Sequence, residues 1–327
     1  MSLVLNLQNL QLSLGDNPVL RDVSMTLEQG ECRALVGESG SGKSLTAMAL
    51  LGLLPNGAKL SANAWTFAGK KMAVLDAKQW RGLRGNDIAM IFQNPMSALN
   101  PTQKVGDQIA EPLRIHQGLS RAAAKKEAIS LLERLAIPNP ARRAEQYPFE
   151  YSGGMLQRAM IAMASACKPK LLIADEPTTA LDVTVQAEVL GLLKELQQDR
   201  GMALLFITHD LGVVANVADS VSVMYAGQTI ESGSLEAVFS REGHPYTAAL
   251  KKAVPSLEHD QALFAIPGTP PDPRELPKGC SFGPRCDHRM AICEEEPALH
   301  RCSDGHLSRC WRWHPEHPLR WREGDCQ

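Results

Sequence analysis

The chain has 327 residues, and its 34 basic and 36 acidic side chains give a formal charge of −2 at pH 7. With 44% hydrophobic and 21% charged residues it has the composition of a globular protein, which excludes wholesale disorder. The near-neutral charge argues against a nonspecific grip on nucleic acid. The N-terminus lacks the cationic segment and long apolar core of a secretory signal, so we expect a cytoplasmic chain with reduced thiols.

Short apolar runs alternate with helical segments along the first 210 residues. Strands are predicted at residues 3–14, 31–36, 88–92, 171–174 and 204–207. Helices are predicted at residues 45–54, 121–135 and 184–198, and Ser152 is placed to cap a helix that reaches residue 168. Residues 15–18, Gly-Asp-Asn-Pro, predict a turn after the first strand. This order predicts an α/β fold with a mostly parallel sheet.

The strand at 31–36 leads into a phosphate-binding pattern. Residues 37–44 read Gly-Glu-Ser-Gly-Ser-Gly-Lys-Ser, which matches G-x-x-x-x-G-K-[ST] between a predicted strand and a predicted helix. Glycines let successive N–H groups point at phosphate oxygens, while Lys43 would bridge the β- and γ-phosphates and the Ser44 hydroxyl would ligate Mg²⁺. The predicted nucleotide contacts are Gly37, Ser39, Gly40, Ser41, Gly42, Lys43, Ser44 and Leu45.

Two adjacent carboxylates close the buried strand at 171–174. Ligands of parallel sheets bind at the carboxyl ends of the strands, where Asp175 and Glu176 are expected. Asp175 suits the coordination shell of Mg²⁺, and Glu176 can polarise the water that attacks the γ-phosphate. Together with the phosphate-binding pattern upstream, the pair predicts an ATP hydrolase. By itself, an Asp-Glu pair could equally be a solvated turn.

The order of the motifs resembles the ATP-binding subunits of ABC transporters. The resemblance spans about residues 3–255 and rests on GESGSGKS, IFQNP, YSGGM, LLIADEP, TALD and Thr-His-Asp at 208–210. It implies a P-loop ABC-type core with a helical subdomain at about residues 95–165. It also implies that two such domains hold two ATP molecules between them, each γ-phosphate lying against Ser152, Gly153 and Gly154 of the opposing subunit.

Further roles follow from the same resemblance. Gln93 is expected to contact Mg²⁺ and the attacking water, His209 to contact the γ-phosphate, and Asp182 to contact the partner's nucleotide site. Asp182 could also cap the following helix. Two positions depart from the family. Leu14 stands where an aromatic residue usually stacks on adenine, and Tyr151 and Met155 replace the common Leu and Gln of the signature segment.

Six of the eight cysteines follow residue 279. The sequence from about residue 240 to residue 315 resembles the ATP-binding subunits of bacterial oligopeptide, dipeptide and nickel-chelate importers. The resemblance rests on Gly-His-Pro-Tyr-Thr at 243–247, Gly279-Cys280 and Pro-Arg-Cys at 284–286. Four thiolates can hold a [4Fe–4S] cluster or a Zn²⁺ ion. The resemblance implies the cluster, with zinc as the alternative, held by Cys280, Cys286, Cys293 and Cys310; the spare candidates are Cys302, Cys326, His306 and His314.

The importer resemblance sets the expected organisation and partners. An ATP-binding domain is expected at residues 1–255, followed by a Pro-rich linker and a small irregular Cys-rich tail at 256–327. The expected partners are two transmembrane permease subunits, a second homologous ATPase and an extracytoplasmic solute-binding protein, with no nucleic acid. The protein would lie on the cytoplasmic face of the bacterial inner membrane. The alternative is a soluble ABC ATPase of DNA repair or translation.

Overall fold

The chain is described by a computed structural model. Two compact units comprise the described parts of residues 1–4, 28–31 and 74–207 (unit 1) and of residues 5–27, 32–73 and 208–327 (unit 2). The predicted boundary between residues 255 and 256 and the candidate Cys326 lie outside the described residues. Those described are 2–179, 181–241, 243–254, 264–303 and 305–315.

Unit 1 contains a three-stranded parallel sheet in the order β7-β8-β9. Every residue of the three strands is buried, which is why their sequences are continuous apolar runs. The carboxyl ends of parallel strands meet at one edge, so the segments after β7 and β8 emerge side by side. The elements of unit 1 are α2 (Ala77–Leu83), β7 (Ile88–Ile91), α3 (Pro95–Ala98), α4 (Val105–Gln117), α5 (Arg121–Arg134), α6 (Pro140–Arg143), α7 (Gly153–Ser165), β8 (Leu171–Asp175), α8 (Val183–Arg200) and β9 (Ala203–Thr208), whose last residue is counted with unit 2.

Unit 2 has a mixed sheet in the order β6-β5-β1-β2-β11-β10-β3, with β4 also paired to β1. The pairs β10–β3 and β11–β2 are parallel, whereas β1 pairs antiparallel with β4 and β5, and β10 with β11. The elements before residue 255 are β1 (Leu3–Leu14), β2 (Asn17–Glu28), β3 (Cys32–Val36), α1 (Lys43–Leu50), β4 (Ala58–Ser61), β5 (Ala64–Phe67), β6 (Lys70–Lys71), α9 (Leu211–Val217), β10 (Ser220–Tyr225), β11 (Gln228–Ser234), α10 (Leu235–Ser240) and α11 (Pro245–Lys252).

Residues 264–303 and 305–315, called the tail below, are counted with unit 2. The tail has little regular structure, and its strand β13 pairs with β11 and β12. Its elements are β12 (His300–Ser303), β13 (His306–Ser308) and short 3-10 turns at Gly283–Arg285, Ala291–Glu294 and Trp311–Trp313. No helix in the described part of the chain is long and apolar enough to cross a membrane.

Several element ends differ from those predicted. Helix α1 starts at Lys43 and stops at Leu50, because Gly52 then adopts a φ of 60°. Helix α7 ends at Ser165 rather than at residue 168, where Lys168 has a φ of 56° and turns the chain toward β8. Asn17 and Pro18 belong to β2 and not to the turn.

Candidate functional site

The loop at residues 37–44, called the phosphate loop below, joins β3 to α1. Gly37, Gly40 and Gly42 have φ angles of +152°, +80° and +104°, a region that favours glycine. A Cβ on Gly37 would lie 2.2 Å from the carbonyl oxygen of Met224, so no other residue fits there. Nothing among the described residues lies within 4 Å of a Cβ at Gly40. The loop is thus packed on the sheet at one end and open in the middle.

Two side chains of the phosphate loop, those of Lys43 and Ser41, are buried. The Lys43 ammonium is buried and donates to the carbonyl oxygens of Gly37 at 2.8 Å and Glu38 at 3.0 Å. The Ser41 hydroxyl oxygen is buried without a hydrogen-bond partner among the described residues, and a phosphate oxygen would supply one. Ser44 is exposed in the first turn of α1, where an oxygen ligand for Mg²⁺ is needed. These residues fit a nucleotide phosphate.

Glu38 is the one acidic residue of the phosphate loop, and the tail holds it. Arg285 donates two hydrogen bonds to its carboxylate, at 2.7 and 3.0 Å. The same guanidinium donates to the Tyr225 hydroxyl at 3.2 Å and lies over the rings of Tyr225 and Phe282. The Glu38 carboxylate raises the pKa of Arg285. Sequence analysis missed this pair, because position 38 is unspecified in the motif.

In unit 1, the structure brings Glu176 and Gln93 into direct contact. One carboxylate oxygen of Glu176 accepts hydrogen bonds from the Gln93 amide and the Thr179 hydroxyl, both at 2.9 Å. Glu176 has a φ of 46°, and its backbone N–H donates to the Ile207 carbonyl oxygen. The preceding Asp175 is buried at the end of β8. Glu176 is therefore held by its neighbours in one orientation.

The signature segment starts helix α7. Ser152 is its N-cap and accepts a hydrogen bond from the Met155 N–H at 3.4 Å. Gly153 is exposed, with nothing among the described residues within 4 Å of a Cβ built on it. Gly154 faces Val185, which lies 2.9 Å from such a Cβ. The 13-residue helix therefore presents an open N-terminus, which suits an anion.

Two further predicted site residues are Asp182, at the start of helix α8, and His209, directly after strand β9. Asp182 caps α8 by accepting from the Val185 N–H at 3.0 Å, so the capping interpretation is confirmed for this residue. His209 is exposed directly after β9. The next residue, Asp210, caps α9. Both Asp182 and His209 are exposed.

The four predicted cysteine ligands of the tail line one recess. Cys280, Cys286, Cys293 and Cys310 share its wall with other tail residues and with His244. Among the described residues, no group of three His, Cys, Asp or Glu side chains is arranged to hold a single metal ion. Burial raises the pKa of Cys280, that of Cys286 to about 11 and that of Cys310 to about 12. The recess therefore brings four thiols into one lining.

A buried carboxylate joins the core to the tail. Glu231 of β11 has no exposed surface, and its oxygens accept from the Gly243 N–H at 2.6 Å and the Thr247 hydroxyl at 2.5 Å. His306 of β13 lies 2.7 Å away through Nε2. His306 was a spare metal candidate, and the structure places it here in a hydrogen-bonded network.

Comparisons with family models and curated proteins agree with the motif order. The model described as ABC transporter matches residues 20–179, and the model described as oligopeptide/dipeptide transporter, C-terminal region, matches residues 230–293. The oligopeptide transport ATP-binding protein OppD of Bacillus subtilis is 50% identical over 308 residues, which cover 93% of this chain and 86% of the relative. The dipeptide transport ATP-binding protein DppD of the same organism is 49% identical, with 95% of each chain covered.

Two solved structures share the fold. CbiO1 from Clostridium perfringens, part of an ABC transporter complex, has a TM-score of 0.63 and 27% identity, covering 73% of this chain and 92% of its own. The ATP-binding cassette MJ0796, solved as a dimer bound to ADP and phosphate, has a TM-score of 0.63 and 26% identity, covering 71% of this chain and 98% of its own. The chain is an ABC-type ATPase and belongs to the family of oligopeptide and dipeptide transporter ATP-binding subunits.

Proposed function

We propose that this protein hydrolyses ATP to power the import of peptides or related small solutes across the bacterial inner membrane. One observation carries the proposal: a nucleotide-binding core and a C-terminal region matching peptide transporters occur in one chain. The core indicates ATP hydrolysis, and the C-terminal region indicates the class of transporter. No feature of the described residues favours the alternative, a soluble ATPase of DNA repair or translation.

Nucleotide phosphates are held by the phosphate loop. Its N–H groups and the residues Gly37, Ser39, Gly40, Ser41, Gly42, Lys43, Ser44 and Leu45 form the proposed contacts. The fit rests on the open backbone at Gly40 and on the Ser41 hydroxyl. Lys43 would exchange its two carbonyl partners for phosphate oxygens. Bound Mg²⁺, held by Ser44, Gln93 and Asp175, would neutralise charge on the phosphates.

Glu176 is the proposed general base. Its carboxylate can accept the proton of the attacking water, and the hydrogen bonds from Gln93 and Thr179 orient it. Gln93 both orients this carboxylate and is suited to report on the site to a membrane partner. His209 is proposed to donate a hydrogen bond to the γ-phosphate.

The signature segment and Asp182 are proposed to act on a second subunit. Ser152, Gly153 and Gly154 offer an exposed helix N-terminus to the γ-phosphate held by that subunit. Asp182, exposed at the start of α8, would contact its nucleotide site. ATP binding would then close two ATPases around two nucleotides, and hydrolysis would let them part.

The proposed partners are those of an importer: two transmembrane permease subunits, a second homologous ATPase and an extracytoplasmic solute-binding protein. The protein would be peripheral, on the cytoplasmic face of the inner membrane. Residues 1–255 are proposed as the ATP-binding domain and 256–327 as a Pro-rich linker and Cys-rich tail. The test is co-purification of the full chain from membranes with two hydrophobic subunits. Recovery bound to DNA or ribosomes instead would overturn the assignment.

For the tail we propose a [4Fe–4S] cluster held by Cys280, Cys286, Cys293 and Cys310. Four thiols lining one recess support it. A tetrahedral Zn²⁺ ion held by the same thiolates is the alternative. Burial raises the pKa of the Cys286 and Cys310 thiols, so a bound metal must displace protons and its affinity should fall as the pH falls.

Metal and sulfide analysis of anaerobically purified protein tests the cluster. We expect about four iron and four acid-labile sulfide per chain, and loss of both in Cys310→Ser. Cys167→Ser is the matched control, because Cys167 is a buried thiol of unit 1 outside the recess. Stoichiometric zinc without iron would overturn the proposal.

A further inference from the structure

Glu38 is fixed at its backbone and at its side chain. Its N–H donates to the Tyr246 hydroxyl at 2.8 Å. Its carbonyl oxygen accepts from the Ser41 N–H at 3.2 Å and from Lys43 at 3.0 Å. Its carboxylate is bound by Arg285. The conformation of the phosphate loop at this residue, and with it the position of the Lys43 ammonium, therefore depends on contacts from outside the loop.

Arg285 is itself held from several sides. Its Nε donates to the Pro267 carbonyl oxygen at 2.8 Å, and one terminal nitrogen reaches the Ile266 carbonyl oxygen at 3.4 Å. Its side chain is only 5% exposed, against 25% for the Glu38 carboxylate. A two-pronged, largely buried guanidinium–carboxylate pair has far less freedom than a surface ion pair. The tail thus fixes the position of the Arg285 guanidinium, which in turn fixes the Glu38 carboxylate.

We propose that Arg285 is a positioning residue for ATP binding, through which the Cys-rich tail braces the phosphate loop. The inference rests on the nucleotide-binding function of that loop. Arg285 holds Glu38, and the carbonyl oxygen of Glu38 helps to place Lys43. Arg285 also neutralises a carboxylate that would otherwise stand uncompensated beside a polyphosphate anion. The tail, whose elements contribute no phosphate-binding motif, thereby contributes to nucleotide affinity.

The tail has other attachments that do not involve Arg285. Arg21 donates to the Ser281 hydroxyl at 2.5 Å, and Arg309 donates to the Asp22 carboxylate at 2.5 Å. The network around Glu231 forms a third connection through β13. Loss of the Arg285 side chain should therefore leave the tail docked, so that the effect on the loop can be measured separately.

The test is ATP affinity of the full chain, measured by titration with a fluorescent non-hydrolysable ATP analogue, together with the KM and kcat of ATP hydrolysis. We expect Arg285→Ala to raise Kd and KM about tenfold, since a bond to a charged group is lost, with kcat changed less than about twofold. Arg285→Lys should recover part of the affinity. Arg289→Ala is the matched control, because this tail arginine is half exposed and pairs only weakly with Glu294 at 3.8 Å.

A double-variant cycle separates positioning from general damage. Glu38→Gln should weaken binding less than Arg285→Ala, because it loosens the same contact without leaving an uncompensated carboxylate. The double variant Glu38→Gln with Arg285→Ala should bind no more weakly than Arg285→Ala alone, because both substitutions act on one contact. Unchanged affinity in Arg285→Ala, or effects that multiply in the double variant, would overturn the proposal. If the wild-type chain bound no analogue and Lys43→Ala made no difference, the nucleotide-binding function itself would fail instead.

Discussion

Replacing Glu176 by Gln is the sharpest test of the proposed chemistry. The substitution keeps the shape of the side chain and removes its charge and its basicity. In the structure, one carboxylate oxygen accepts hydrogen bonds from Gln93 and Thr179. Both are donors, so the amide of the variant must turn its oxygen toward them. Its NH₂ group then takes the place of the other carboxylate oxygen, where it can only donate.

The magnitude follows from that orientation. An NH₂ group cannot accept a proton from water, so the whole contribution of general-base catalysis is lost. General bases contribute about 10²–10⁴-fold, and we expect kcat to fall about 1,000-fold, or about 4 kcal/mol in activation free energy. ATP affinity should change less than about twofold, because the shape of the side chain and its hydrogen bonds from Gln93 and Thr179 persist.

Steady-state phosphate release and titration with a fluorescent ATP analogue measure the two quantities separately. Glu188→Gln is the matched control, since this exposed carboxylate on α8 is bound by Arg158 and has no proposed role in hydrolysis. Thr179→Val, which removes one of the two orienting donors, should lower kcat by a smaller factor. Hydrolysis at the wild-type rate in Glu176→Gln would refute the assignment of the base, and loss of ATP binding would give Glu176 a structural role.

Three further variants test other parts of the molecule. Lys43→Ala should weaken ATP binding at least about tenfold in the same titration, because the only ammonium of the phosphate loop is removed. His244 accepts the Tyr246 N–H through Nδ1 at 3.0 Å, and burial lowers its pKa from 6.5 to about 3. Below pH 6.5, His244 therefore binds a proton in the unfolded chain but not in the folded one. The free energy of unfolding should fall by about 1.4 kcal/mol for each pH unit below about 6.5. His244→Asn, which keeps a hydrogen-bond acceptor, should flatten this slope in thermal melts recorded at different pH values. Glu231→Ala should lower the free energy of unfolding by about 3 kcal/mol in urea titrations, whereas Glu231→Gln should keep most of the wild-type stability.

The strands predicted from the sequence are those whose runs of apolar residues correspond to buried positions. Strands β7, β8 and β9 are buried throughout, so their apolar runs mark them. Strand β11 was not predicted, because its sequence is largely polar. Gln228, Thr229 and Glu231 are nonetheless buried, since the tail and the segment after α10 supply their partners. Such burial follows from distant parts of the chain and leaves no local pattern.

The site shows the same division. The glycines and Lys43 of the phosphate loop were predictable because the backbone geometry permits few alternatives. The role of Gln93 at Mg²⁺ and the attacking water was expected only from family resemblance, and its hydrogen bond to Glu176, 83 residues away, was not predicted. The pair of Glu38 and Arg285, 247 residues apart, was not predicted by either route. An acidic residue in a phosphate-binding loop was the available signal, because it calls for a cation nearby.

The side chains of Tyr151 and Met155, which depart from the family signature, do not supply the anion-binding groups of the segment. Tyr151 is 8% exposed, donates through its hydroxyl to the Arg143 carbonyl oxygen at 2.8 Å, and lies under the Arg143 guanidinium. These contacts with Arg143 lie within unit 1. Met155 contributes its N–H to the Ser152 cap, which any non-proline residue could do. The anion-binding features are the cap and the exposed glycine backbone, and both are intact. Substitution at these two positions should therefore change helix packing more than nucleotide contact, and Tyr151→Leu should preserve ATP hydrolysis.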